Sequence, residues 1–455
     1  MKTFPRIAIA GISSGVGKTT IALAIMAALT KRGLRVQGFK VGPDFIDPGY
    51  YKAVTSRDGR NLDIWMIGRE ATKSCFSNAA KTADISIIEG VMGFYDGKGG
   101  LMEGSTADVA WTIGSPALIT IDCSKMGGSA GAIALGFLKY DPRADIRGFL
   151  LNKVGSDRHE AMLRSAVESA TGLPVVGCIR RSAEVTIPER HLGLLTQAEN
   201  ALLESYMDAL PELAEKYIDM DMLMRIAESA PAPEPEPGTI RGLEEGVDAR
   251  KVKIGVALDK AFSFYYRDNF ELLEAFGAEL VFFSPIRDSH LPEGLSGLYI
   301  GGGYPEAYAR ELAKNRALAS EVKQAVEEGL PVYAECGGLM YLSRQIEDFD
   351  GSVHEMSGAL PIACKMQRRP TLGYREVQAS ANSNIAKKGD VLRGHEFHYS
   401  TLSDIDSRLA YAYRLPDASA EGFIYNNTLA SYIHMHFSGR PELAERFISI
   451  CREKR

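Results

Sequence analysis

Gly11-Ile12-Ser13-Ser14-Gly15-Val16-Gly17-Lys18-Thr19-Thr20 follows a short apolar run, Ile7–Ala10, and leads into Thr19–Arg32, which is apolar at helical spacing. A glycine-rich turn at a helix start points backbone N–H groups at an anion, and the helix dipole adds to the attraction. Gly15, Gly17 and Thr20 would then line a phosphate site. Lys18 would reach the outer phosphates and the Thr19 hydroxyl would hold Mg²⁺. The usual spacing puts four residues between the first glycine and Gly-Lys. Here Ile12 takes the first-glycine place and Gly11 comes one residue earlier. A plain strand-to-helix turn with a surface lysine is the competing explanation, but strand, turn and helix all stand where phosphate binding requires them.

Three further clusters end strand-like runs. Lys40-Val41-Gly42-Pro43-Asp44-Phe45-Ile46-Asp47-Pro48-Gly49-Tyr50 sets a lysine and two carboxylates beside the phosphate site, although Gly-Pro-Asp and Asp-Pro-Gly are also good turn sequences. Glu89-Gly90-Val91-Met92-Gly93-Phe94-Tyr95-Asp96 places a carboxylate at the end of a buried run, where a Mg²⁺ ligand is expected because Mg²⁺ takes oxygen donors. Asn152-Lys153 closes another run. It contacts a nucleotide base or caps its strand, and the residues alone leave both open.

A different chemistry is written near the other end. Pro331–Ala334, Glu335, Cys336, Gly337 and Gly338 run from strand through a tight turn to a helix, a nucleophile elbow with Cys in place of Ser. The helix N-terminus is expected to lower the thiol pKa. His434, in Ser431-Tyr432-Ile433-His434-Met435-His436-Phe437, is the candidate base, with His436 expected on the same face of an extended segment. Gly301-Gly302-Gly303-Tyr304-Pro305-Glu306 offers backbone N–H groups to an oxyanion or is a simple loop. His395-Glu396-Phe397-His398 has H-E-x-H spacing, not H-E-x-x-H, which argues against a zinc site. Phe262–Tyr266 is read as packing before any contact with a flat ring.

The elements that must carry these groups alternate. Strands are expected at Ile7–Ala10, Val36–Val41, Ile85–Glu89, Ala117–Asp122, Gly148–Asn152 and Val175–Ile179, then at Val252–Leu258, Leu280–Phe283, Leu298–Ile300 and Pro331–Ala334. Helical stretches lie between them, and Gly33 stops the first. Strand-helix alternation predicts α/β architecture with parallel sheets and ligands beyond the strands' carboxyl ends. The Pro-rich run beginning at Ser229 predicts a semi-rigid linker over 229–248, separating a domain at 1–228 from one at 249–455.

Charged residues at 24% and hydrophobic ones at 45% over 455 residues exclude a disordered or fibrous chain. A net charge of −6 without a basic block makes nucleic acid an unexpected partner. No apolar run is long enough for a membrane span. Six scattered cysteines without a C-x-x-C pair, and Met1–Arg6 without a signal-peptide core, suggest a cytoplasmic protein.

The motifs together strongly resemble the cobyrinate a,c-diamide synthase family. They include GISSGVGKTT, KVGPDFIDPGYY, RNLD (Arg60–Asp63), EGVMGFYDG, GSTADVA (Gly104–Ala110) and LNKVGSDRHE (Leu151–Glu160). PERHLGL (Pro188–Leu194), GGGYPE, AECGGLMYL, LGYRE (Leu372–Glu376), RGHEFHYS (Arg393–Ser400) and SYIHMHF complete the set in family order over nearly the whole chain. The family includes the similar Ni-sirohydrochlorin a,c-diamide synthases of coenzyme F430 synthesis. The N-terminal half resembles the P-loop NTPase dethiobiotin synthetase, which shares the displaced first glycine. The C-terminal half resembles a class I glutamine amidotransferase domain of flavodoxin-like architecture.

The resemblance implies that ATP phosphorylates a peripheral carboxylate of a tetrapyrrole dicarboxylate, and that ammonia from L-glutamine displaces the phosphate, at the c and a acetates in turn. Lys18 and Thr19 would bind phosphate and Mg²⁺, and Glu89 would help to hold the metal. Lys40 would act as a second phosphate-region lysine. Asp44 and Asp96 would lie near metal or substrate carboxylate. Cys336 would form the glutamyl thioester and His434 would activate it. Broader class I amidotransferases carry Glu two residues after that His. The position here is His436, so what orients the imidazole stays open. A shielded ammonia passage between the two sites and a homodimer are further expectations. A cobyrate synthase acting on other corrinoid carboxylates, and a partition-type regulatory ATPase with a vestigial second half, are the alternatives.

Overall fold

The computed structural model describes residues 4–181, 197–232 and 251–453. PERHLGL and most of the expected 229–248 linker therefore lie outside the described residues. The described residues form two compact units, one from 4–181 with 197–232 and the other from 251–453.

The first unit is built on seven parallel strands: β1 (Arg6–Gly11), β2 (Val36–Val41), β3 (Arg60–Leu62), β4 (Ile85–Glu89), β5 (Ala117–Asp122), β6 (Ile146–Val154) and β7 (Val175–Arg180). Their order is β3-β2-β4-β1-β5-β6-β7. β1 and β4 are buried along their whole length, which is why they read as continuous apolar runs rather than alternating ones. Successive strands build outward on one side of β1 and then cross to the other, so the crevice beyond its carboxyl end is a topological switch point. Helix α1 (Lys18–Lys31) fills much of the core beneath it. Ile21, Leu23, Ile25, Met26 and Leu29 share a cluster with Leu210 and Leu213 of the helix Gln197–Tyr217. Gly33, at φ 86°, ends the turn after α1 as its position suggests. The Gly42–Asp44 turn opens a helix, α2 (Ile46–Thr55), rather than a second turn.

In the second unit the strands Ala278–Phe283, Val252–Ala257, Gly297–Ile300, Val332–Glu335 and Thr428–Ser431 lie side by side and parallel. The expectation of purely parallel sheets fails beyond them. The sheet continues through Ala420–Tyr425, Ala410–Arg414 and the long strand Ala363–Ala379, which pairs antiparallel with Val391–Ser403. The reason is connection length. A parallel return needs a crossover of a dozen residues or more, whereas Tyr425 reaches Thr428 through Asn426-Asn427 alone, with Asn426 at φ 51°. Consequently LGYRE and RGHEFHYS lie within strands, not beyond strand ends as expected. His434 sits on a short strand, Ile433–Met435, paired with Val391–Ser403 so that His395 faces His434. No helix among the described residues is long and apolar enough to cross a membrane.

Candidate functional site

Register brings the first unit's chemistry together. Lys40 on β2 and Ile9 on β1 both pair with Glu89 on β4, so the three strands deliver their ends to one place. Glu89 is fully buried and accepts from the Thr19 hydroxyl at 2.5 Å, from Lys40 Nζ at 2.7 Å and from the Tyr51 hydroxyl at 2.6 Å. Lys40 also bonds Asp47 at 2.6 Å. Burial opposes the Lys40 charge, but Glu89, Asp47 and Asp44 more than offset it and hold the ammonium above its ordinary value. Burial pushes Glu89 up to about 7 against the pull of Lys40. It pushes Asp44 up to about 6, and Asp47 beside it adds to the rise.

Lys18 donates to the carbonyls of Ser13 at 2.8 Å and Met92 at 2.6 Å. Burial, then repulsion from Lys40, lowers its ammonium to about 8. Met92 holds φ 47°, a region that costs a side chain energy, and its carbonyl is the one that meets Lys18. Asp96 accepts from the Gly93 N–H at 2.9 Å, closing the loop after Glu89. Thr106 bonds both the N–H and the carbonyl of Val91, so GSTADVA braces this loop from behind. Asn61 of RNLD donates to the carbonyls of Gly42 and Asp44 and fixes the turn that carries Asp44.

Of the two readings open for Asn152, the structure supplies a bracing one. Its amide donates to the Val16 carbonyl at 2.8 Å and its oxygen accepts from the Lys153 N–H. Gly17 holds φ 96°, and a Cβ there would lie 2.2 Å from the Asn152 amide nitrogen. Asn152→Ala removes the donor from a buried carbonyl, a cost of about 1–3 kcal/mol. Expressed at the phosphate-binding turn, this gives a rise of about tenfold in KM for ATP. Glutamine hydrolysis is expected to be unchanged, and steady-state assays of both activities check this.

In the second unit Cys336 stands between the strand Val332–Glu335 and the helix Gly337–Leu342 with φ 47° and ψ −99°, a strained elbow. Gly338 makes it possible, since a Cβ there would lie 2.0 Å from the Ile300 carbonyl oxygen. Cys336 Sγ lies 3.5 Å from the Phe397 carbonyl, which brings RGHEFHYS to the thiol. The expectation of a low thiol pKa is overturned. Burial pushes the thiol up and the Glu306 carboxylate adds to this, against a smaller pull from the Gly337 N–H. The helix is only six residues long, so its dipole cannot compensate.

His434 is buried, with Nδ1 3.7 Å from Glu335 Oε2. The Gly301–Gly303 loop touches both sides of the site. A Cβ on Gly302 would lie 2.4 Å from His434 Cε1, and one on Gly337 would lie 3.1 Å from the Gly303 nitrogen. His436 has other partners. It stacks on Tyr266 with ring centroids 4.5 Å apart and accepts from the Ser438 N–H. His398 has both ring nitrogens committed, to the Ser400 carbonyl at 2.8 Å and to Glu396 at 2.9 Å, and its ring stacks on Tyr432. Both ring nitrogens are thus engaged within the protein. Phe262 packs against Tyr341 and Phe264 against Tyr304, so that aromatic run serves packing. Sequence reasoning passed over Tyr51 and Glu335 as site residues. The one signal for Glu335 was its place next to Cys336.

Two family models match the chain: the CobQ/CobB/MinD/ParA nucleotide binding domain over residues 7–195, and the CobB/CobQ-like glutamine amidotransferase domain over residues 253–442. A cobyrinate a,c-diamide synthase of Dehalococcoides mccartyi is 45% identical over 457 residues, covering 99% of this chain and 98% of the relative. One from Priestia megaterium is 43% identical, covering 98% and 97%. A hydrogenobyrinate a,c-diamide synthase of Streptomyces coelicolor is 41% identical, covering 98% of each chain. With similarity spanning both units and each motif cluster inside one of the two matched domains, the chain belongs to the cobyrinate a,c-diamide synthase family, ATP-binding ligases that form amides with glutamine nitrogen.

Proposed function

We propose that the protein converts the a- and c-acetate carboxylates of a corrin-type ring to amides, with ATP and L-glutamine as co-substrates. A carboxylate resists attack by ammonia because oxide is a prohibitive leaving group. In the first unit a substrate carboxylate oxygen attacks the γ-phosphorus of ATP, the bond to ADP breaks, and an acyl phosphate results. Lys18 and Lys40 carry the positive charge that offsets the phosphoryl oxygens. Asp44 and Asp96 shape the loops on either side of them. The Thr19 hydroxyl and the Glu89 carboxylate, 2.5 Å apart, would with Asp44 offer oxygen donors to Mg²⁺, which when bound would neutralise phosphate charge.

In the second unit the Cys336 sulfur attacks the side-chain amide carbon of glutamine while His434 takes the thiol proton and returns it to the leaving nitrogen. Ammonia departs, and water hydrolyses the glutamyl thioester to glutamate. Ammonia attacks the acyl phosphate carbon, phosphate leaves, and the amide remains.

What supports this reading above all is the strained Cys336 elbow beside His434 in a chain that also carries the buried Lys40–Glu89–Thr19 cluster. Mass spectrometry with Mg-ATP, glutamine and cobyrinate, hydrogenobyrinate or Ni-sirohydrochlorin in separate reactions tests it. Two successive small mass decreases are expected on a corrin-type ring. Amidation confined to other carboxylates would instead indicate cobyrate synthase-type chemistry, and ATP hydrolysis without amide on any ring would reject the ligase reading.

A further inference from the structure

We propose that Glu335, the residue immediately before the thiol, is the positioning residue of His434 and takes the place of an acid two residues after the histidine. The inference rests on the roles assigned above to Cys336 and His434. The position two residues on is His436, which is occupied with Tyr266 and Ser438. Glu335 is itself held from several sides. Tyr333 donates to Oε1 at 2.5 Å, the Met435 N–H to Oε1 at 2.9 Å and Tyr299 to Oε2 at 3.0 Å. The Met435 bond ties the carboxylate to the residue next to His434, so imidazole and acid share one frame. With Oε2 at 3.7 Å from Nδ1, the proton is favoured on Nδ1, and Nε2 is left as the base on the Gly302 side. At 3.7 Å this is an ion-pair separation longer than a hydrogen bond, and catalytic contacts of this length tighten when substrate docks.

Other titratable groups lie near His434, among them Glu396, which pairs with Ile433 and is bonded by Arg375 at 2.6 Å. His395, opposite it on the paired strand, is lowered to about 4 by burial and then by the charge of His434, so it stays neutral through the working range. Glu306, on the loop before the nucleophile's strand, bears on Cys336. Tyr299 and Tyr333 face Glu335, and burial keeps both phenols protonated. Glu335 is therefore a carboxylate placed to hold the imidazole's orientation.

Glu335→Gln keeps shape and hydrogen bonding but removes the charge. Its glutamine-dependent kcat should fall on the order of 10²–10⁴-fold with little change in KM for glutamine. Loss of the carboxylate removes what holds the imidazole in place, so the loss should fall on kcat, and Glu335→Asp, which keeps the carboxylate, should recover part of it. Tyr299→Phe removes one bond to Glu335 and leaves the carboxylate in place, so its kcat should stay within about tenfold of the parent protein's. Ammonia-dependent synthesis, measured in parallel, reports folding of the first unit. A parent-like kcat for Glu335→Gln overturns the proposal, and so does an equal loss of kcat in Tyr299→Phe. Cys336→Ser and His434→Ala run alongside. If either keeps glutamine turnover, the reading beneath the proposal fails. If both lose it while Glu335→Gln does not, only the proposal fails.

Discussion

The Cys336→Ser protein is expected to make amide from ammonium but not from glutamine. Sulfur and oxygen differ little in size, so the strained elbow and the Gly338 contact on Ile300 survive the exchange. What is lost is an accessible nucleophile. Even the thiol is held high by burial and by Glu306, so its proton must go to His434 as attack proceeds. A hydroxyl in the same setting starts several units higher. Glutamine-dependent synthesis should fall by about 10³-fold or more, the scale on which removal of a covalent nucleophile acts. With ammonium salts at alkaline pH, where free ammonia is plentiful, synthesis should approach the parent rate, because Lys18, Lys40, Thr19 and Glu89 are untouched. Parallel assays with glutamine and ammonium decide it. Loss of both activities would mean that Cys336 serves more than glutamine cleavage.

The residues that could be named from sequence are those whose chemistry needs an unusual backbone or a fixed spacing. Gly17, Gly338 and the strained Cys336 stand where a side chain or a relaxed turn would collide, so their patterns are hard to write any other way. β1, β2, β4 and β5 were legible because buried parallel strands read as short apolar runs between helical stretches. β3 was not, since Arg60-Asn61-Leu62 has a single apolar residue and earns its place through Asn61's bonds to the next loop. Ala363–Ala379 escaped because the exposed run Arg368-Arg369-Pro370 and the exposed Leu372 break the alternation. Glu335 looked like an ordinary strand-end acid. Its link to His434 runs between residues about a hundred positions apart and exists only once Val332–Glu335 and Ile433–Met435 meet. The thiol's high proton affinity was equally out of reach, because the turn shows the glycines and not the burial or Glu306 beside it.

Lys18→Ala is expected to abolish synthesis from either nitrogen source while glutamine hydrolysis in the second unit persists. Lys18 already sits against the Ser13 and Met92 carbonyls, so its ammonium is held in place by the turn itself and by the strained Met92. Charge that develops on a transferring phosphoryl group in so buried a site is stabilised far more than in water, and one such donor is worth about 10²–10³ in rate. Lys40 is not expected to take over, because Glu89 and the Gly90 carbonyl hold it at the end of β4 and Asp47 holds it from α2. Lys18→Arg should fail as well, since a planar fork cannot meet both carbonyls as a compact ammonium does. The measurement is ADP release and amide formation with ammonium, set beside glutamate release without ATP. If amide formation survives in Lys18→Ala at more than about a tenth of the parent rate, a smaller loss than removal of one such donor gives, the phosphoryl-transfer role moves from Lys18 to Lys40.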